Sequence, residues 1–171
     1  MDFFALVDER KSVRAFDDRA FEPEKLQHLL QAVNRAPSAG NLQAYEILLV
    51  RDAARKRALV SAAQDQEYLA QAPVVLVFCA HPARAATKYG GRGEALYAIQ
   101  DATIACTFAM LAAAELGLAS VWIGAFEEQA VAATLNLPTG WRPVAMLPIG
   151  FAAQTPDRTP RRKLEDLVHE V

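Results

Sequence analysis

Residues 94–116 read EALYAIQDATIACTFAMLAAAEL, and this stretch limits the fold more than any other. It is Ala-rich and apolar nearly all round, the pattern of a helix enclosed by protein rather than laid on a surface. Its many alanines let neighbouring elements approach closely. The uncharged part runs only from Ala102 to Ala114, between Asp101 and Glu115. That falls short of the roughly 20 residues a bilayer span needs. A central buried helix is therefore expected, and the rest of the chain has to enclose it.

The flanking patterns supply candidates. Phe3, Phe4, Leu6 and Val7 predict a short amphipathic helix over 2–9. Phe21-Glu22-Pro23-Glu24 opens a second helix, with Pro23 near its first position and Leu26, Leu29, Leu30 and Val33 on its buried face; it stops before Pro37. YEILLVR (45–51) reads as a strand, and Asp52 can cap a helix over 53–63. APVVLVFCA (72–80) is a continuous apolar run that suits a strand buried on both faces. A polar, glycine-containing loop is expected over 81–93. Gly117 is a natural end for the central helix. Beyond it, ASVWIGAF gives a short strand and turn, EEQAVAATLNLP a helix ending by Pro138, and RPVAMLPIGF a last core strand. The tail AAQTPDRTPRRKLEDLVHEV reads as an extended arm with a short amphipathic end at Leu164, Leu167 and Val168. No repeat or linker interrupts this series, so a single domain over 1–171 is expected.

Several functions are disfavoured at once. A net charge of −2 over 171 residues provides no basic field for nucleic acid or anionic membranes. Cys79 and Cys106 lie in apolar runs and read as buried thiols, with no Cys/His spacing for a metal. MDFFALVDERK lacks the basic region and cleavage site of a signal peptide, so a cytoplasmic protein is expected. GGRGEAL (90–96) contains G-x-G, but Leu96 occupies the third glycine position and the preceding strand ends too early for a dinucleotide fingerprint. Neither Ser12 nor Ser38 lies in G-x-S-x-G, and His28, His81 and His169 have no hydrolase setting.

Two polar clusters remain. RKSVR (10–14) packs three cations and a hydroxyl into five positions, and the tail adds Arg158, Arg161, Arg162 and Lys163. These are either solvated charges or, because arginine forks suit phosphate oxygens, the two halves of one phosphate pocket. APSAGNLQ (36–43) crowds Pro, Ser, Gly and Asn behind the second helix.

Taken in order, RKSVRAF, APSAGNLQ, YAIQDATIACTFAMLAAAELGLASVWIGAF, PVAMLPIGF and RRKLEDLV make the chain resemble the FMN-dependent nitroreductase family over nearly its whole length. The resemblance implies an α+β fold, with a central, mostly antiparallel sheet flanked by helices. It also implies a homodimer that exchanges its C-terminal arm and holds two FMN sites at the interface. It makes Arg10, Ser12 and Arg14, with Lys11 among them, contacts to the FMN phosphate and flavin edge. Arg161, with Arg162 or Arg158, would reach the same phosphate. Pro37, Ser38, Asn41 and Gln43 look like the loop beside the isoalloxazine, serving the other subunit. Gly124 and Ala125 match the turn whose backbone N–H groups face flavin N5 and O4.

The implied chemistry is hydride transfer from NADH or NADPH through flavin N5 to a nitroaromatic, a quinone or an activated alkene. A different acceptor, chemistry on the flavin itself, or FMN storage without turnover are the alternatives. Three departures stand out. Gln43-Ala44-Tyr45 replaces the family's Q-P-W, and Gly124-Ala125 replaces its Glu-Gly. The segment 81–93 is also short for a substrate lid. Trp122 is expected in the core and Phe126 beside the flavin pocket.

Overall fold

The computed structural model describes residues 2–171. Its centre is a four-stranded, wholly antiparallel sheet in the order β1 (Tyr45–Val50), β2 (Val74–Ala80), β4 (Arg142–Gly150), β3 (Ala119–Ser120). Every residue of β2 is buried, as its unbroken apolar run requires of a central strand covered on both faces. The two faces divide by the strand period of two. Leu76 and Phe78 point with Ala145, Leu147 and Ile149 to one core, which holds α2 (Pro23–Val33) and α6 (Ala98–Glu115). Val75, Val77 and Cys79 point with Met146 to the other, which holds α3 (Ala53–Ala62), α4 (Tyr68–Gln71) and α7 (Glu128–Leu135). The expected α+β class is therefore what the chain adopts.

Local chemistry places the helix ends. The Asp2 carboxylate accepts from the N–H groups of Phe4 and Ala5 at 3.0 and 3.1 Å and starts α1 (Phe3–Glu9). Asp52 does the same for α3 through Arg55 N–H at 2.8 Å.

The central helix is buried, but unevenly. Ala98, Ala102, Ala105, Ala109 and Ala113 form the face against the sheet, and their small size lets α6 lie close to it. Ile104, Phe108, Met110 and Leu111 on other sides are only half-buried, and Thr107 is exposed. By length and composition alone the helical run Pro82–Glu115 would suit a membrane span. Its alanine face instead packs on the sheet.

Residues 81–93 differ from expectation. They form α5 (Pro82–Arg92), not a loop, and a π-helical turn (Gly93–Tyr97) joins it to α6. Pro82 pre-sets the first helical φ, and Ala83, Ala85 and Ala86 favour the helix. Gly90 takes φ 53° and ψ −142°, which bends the run without ending it. The glycines mark a kink here rather than a boundary.

The tail is extended beyond Ala152, with one short 3₁₀ turn at Leu164–Asp166. Phe4 is 82% exposed and Leu164 76%, and Phe3, Val7, Leu167 and Val168 are also exposed, so both chain ends carry uncovered apolar side chains.

Candidate functional site

The two basic groups meet. A cleft of about 1260 Å³ lies between α1 with its following segment and the tail; Arg10, Lys11, Ser12 and Arg14 line one wall, and Arg158 and Arg161 the other. The N-terminal wall is fixed by pairing: Ser12 forms a parallel bridge with Ser120, and Val13 N–H donates to the Ser120 carbonyl at 3.1 Å. Farther on, Phe16 bridges Ala152, which brings the start of the tail back beside the first segment.

Arg10 is the most telling residue of the cleft. Its Nη1 is buried without a hydrogen-bond partner. Burial, and then the positive charge of Arg161, hold the guanidinium below its ordinary pKa. A half-buried cation facing a second cation, with a buried donor unspent, is stabilised by an anion between them. Arg158 is less free, because it pairs with the Asp8 carboxylate. Arg162 bonds the Asp166 carbonyl and does not line the cleft. Of the tail arginines, Arg161 is the one that faces Arg10.

The loop Pro37–Gln43 is built separately and does not line that cleft. Gly40, Asn41 and Gln43 take φ of 56°, 58° and 48°. Asparagine tolerates this left-handed region and glutamine less so, so the backbone is strained where the family resemblance puts the flavin edge. Asp101 of α6 holds it. One carboxylate oxygen accepts from Ala39 N–H at 2.9 Å and the other from Ala44 N–H at 3.2 Å, clamping both ends of the loop. The Ser38 hydroxyl accepts from Gln43 N–H at 2.9 Å and closes it internally. Asn41 is left exposed. Asp101 is only 1% exposed, and sequence reasoning missed it. The available signal was one acid on the alanine face of an otherwise apolar helix.

A third piece is the turn at Gly124 and Ala125. Ile123 exchanges backbone bonds with Met146 at 2.9 and 3.0 Å, and the Gln66 side chain donates to the Ala125 carbonyl at 3.2 Å. Gly124 lines a cleft of about 190 Å³ with Ile99, Phe126, Glu128 and Arg142. Phe126 lines this cleft beside the turn, and Trp122 packs against the core. Glu128 and Arg142 form a two-bond ion pair at 2.8 and 2.9 Å, and the Arg142 hydrogen bonds hold the Glu128 carboxyl below its ordinary pKa. The strand that pairs with Ser12 at Ser120 leads directly into this turn, so cleft and turn share one edge of the fold.

The thiols have no part in these sites. Both are buried and free; burial, and then Glu46, push Cys79 up to about 12, and burial pushes Cys106 higher still.

A cleft with arginines on both walls at one edge of an antiparallel sheet, with a clamped polar loop and an open backbone turn, is the setting in which the chain's relatives are informative. The chain belongs to the nitroreductase family, whose model matches residues 7–68 and 60–151. It is 34% identical to the FMN reductase [NAD(P)H] of Bacillus subtilis, over 97% of this chain and 72% of that protein. The NADH dehydrogenase of Thermus thermophilus is 31% identical over 93% of this chain and 91% of its own length. Among solved structures, the NADPH:FMN oxidoreductase of Vibrio harveyi in complex with NAD+ superposes with a TM-score of 0.90 at 28% identity, covering 98% of this chain and 76% of that one.

Proposed function

We infer that this protein is an NAD(P)H-dependent FMN oxidoreductase, one FMN-binding domain over residues 1–171 that passes electrons to small-molecule acceptors in the cytoplasm. The observation that carries the reading is the buried, unpartnered Nη1 of Arg10 facing Arg161 across a cleft built from both chain ends. The donor set fits the phosphate of FMN: guanidinium forks, an ammonium and a hydroxyl suit phosphate oxygens. No dinucleotide fingerprint calls for FAD instead.

A flavin in this site supplies two-electron transfer from a nicotinamide to an acceptor such as a nitroaromatic, a quinone or an activated alkene. Arg10, Arg14 and Arg161 hold its phosphate, with Ser12 and Lys11 beside them; Arg162 is a lesser contributor, being occupied by Asp166. Gly124 and Ala125 would offer backbone N–H groups to the flavin, and neither carries a large side chain that would block a bound coenzyme. Pro37, Ser38, Asn41 and Gln43 hold the ring of the partner subunit's flavin. The exposed Phe3, Phe4, Leu164, Leu167 and Val168 support a two-fold dimer in which the end of each tail, beyond Arg161, lies on the other chain.

Two measurements test this reading. Flavin released by heating the purified protein should co-elute with FMN. Steady-state oxidation of NADH and NADPH against the three acceptor classes should show turnover. A protein that neither carries nor takes up FMN overturns the reading; one that binds FMN but oxidises neither coenzyme is a storage protein.

A further inference from the structure

Two side chains of α5 end against the loop that the flavin reading sets beside the isoalloxazine, and that reading uses neither. A β-carbon built on Gly40 would lie 2.5 Å from the Tyr89 hydroxyl and 2.8 Å from Lys88 Nζ, so both groups converge on the tip of the Pro37–Gln43 loop. Glycine at 40, with a left-handed φ of 56°, leaves them this space. Neither the Tyr89 hydroxyl nor the Lys88 ammonium has a hydrogen-bond or ion-pair partner among the described residues.

The pair is held in place by ring contacts. Lys88 Nζ lies 5.4 Å from the Tyr89 ring, and that ring meets Tyr97 edge to face at 5.1 Å. Arg92 Nε donates to the Tyr97 hydroxyl at 3.0 Å and fixes the second ring. Tyr89 is half-buried and Lys88 exposed, so the ring is anchored while the ammonium stays open. Glu94, the acid nearest in sequence, is exposed and forms no ion pair among the described residues.

A hydroxyl and an ammonium side by side, with no donor spent on the protein, suit the two oxygens of one carboxylate. The tyrosine ring beside them suits an aromatic body. Their position favours the acceptor over the reductant. The part of a coenzyme that reaches a flavin ring is a nicotinamide with an uncharged carboxamide, which gains less from an ammonium than a carboxylate does. We propose that Lys88 and Tyr89 bind the carboxylate of the electron acceptor, which makes aromatic acids preferred over uncharged aromatics. The proposal rests on the flavin reading above.

The test compares 4-nitrobenzoate with its uncharged methyl ester as acceptors for the purified full-length holoprotein. The ester is the more electron-poor ring, so a kcat/KM that favours the carboxylate has to come from the protein. The wild type should show that preference, and added salt should shrink it. Lys88→Ala should lower the carboxylate-to-ester ratio about fivefold or more, and Lys88→Glu further, with the FMN content kept. Tyr89→Phe keeps the ring and should lower the ratio by a smaller factor; Lys88→Arg should preserve it. A wild type that favours the ester overturns the proposal, as does an FMN-loaded protein that reduces neither compound. A ratio that Lys88→Ala and Lys88→Glu leave unmoved overturns it too. A failure of the flavin reading looks different: the wild-type protein then takes up no FMN, and both inferences fall together.

Discussion

The phosphate cleft and the Pro37–Gln43 loop present similar polar groups but are held in opposite ways. The cleft joins the two ends of the chain, and its C-terminal wall is exposed from Asp157 to Arg161, with Arg10 left holding an unused buried donor. The loop is clamped at both ends by one buried carboxylate and strained between. One region is organised by protein groups alone; the other leaves a buried donor unspent. Substitutions in the loop should therefore cost stability, and substitutions in the cleft should cost affinity.

The largest effect should come from Asp101. Asp101→Ala leaves the Ala39 and Ala44 N–H groups without their acceptor, at roughly 1–3 kcal/mol for each donor. Thermal unfolding should show a fall in Tm on the order of 10 °C. An unchanged Tm would mean that the loop needs no clamp. Arg10→Ala and Arg161→Ala should do the reverse: Tm of the flavin-free protein stays near wild type, while FMN binding weakens roughly 10- to 150-fold by fluorescence titration, from about 1.5–3 kcal/mol per charge-assisted bond. Wild-type affinity in both variants would make these solvated charges.

Gly40→Ala sharpens the contrast from the other side. A side chain there adopts a left-handed φ of 56° and meets the ends of Lys88 and Tyr89. The cost should be about 1–2 kcal/mol by denaturant unfolding, since the lysine can move aside. The smallest effect belongs to the Glu128–Arg142 pair, which is about half exposed and should contribute less than about 1 kcal/mol. The Glu128 carboxyl is held low by Arg142, so the pair's contribution is present above the ordinary glutamate pKa and fades as pH falls through the lowered one. Glu128→Gln should flatten only that acidic limb of the stability profile.

The comparison also explains what could be seen in the sequence. Strands and helices with clear apolar periods, such as 72–80 and 23–33, were visible because burial alone determines them. Arg10 and Arg161 were visible as candidates because arginines cluster at both ends of a nearly neutral chain, a pattern that suits either solvated charges or one shared phosphate pocket. The helix at 82–92 was hidden by Gly90 and Gly91, which weigh heavily in a local reading although Pro82 and the alanines outweigh them. Asp101 was hidden because its partners are backbone N–H groups 62 and 57 residues away. No local pattern encodes an acceptor for a distant loop. The same limit separated Arg161 from Arg162, whose roles differ only through the turn that ties Arg162 to Asp166.

The central claim is that the clamped loop of one chain and the cleft of another complete a single flavin site. Co-refolding an equal mixture of Asn41→Ala and Arg14→Ala proteins tests it most directly, with NAD(P)H oxidation as the readout. In a two-fold dimer each heterodimer then contains one fully wild-type site and one doubly altered site. With random pairing, about a quarter of all sites regain activity, well above either variant alone. A mixture that forms heterodimers yet stays at the level of its parents, or a wild-type protein that is active as a monomer by light scattering, would contradict the shared site.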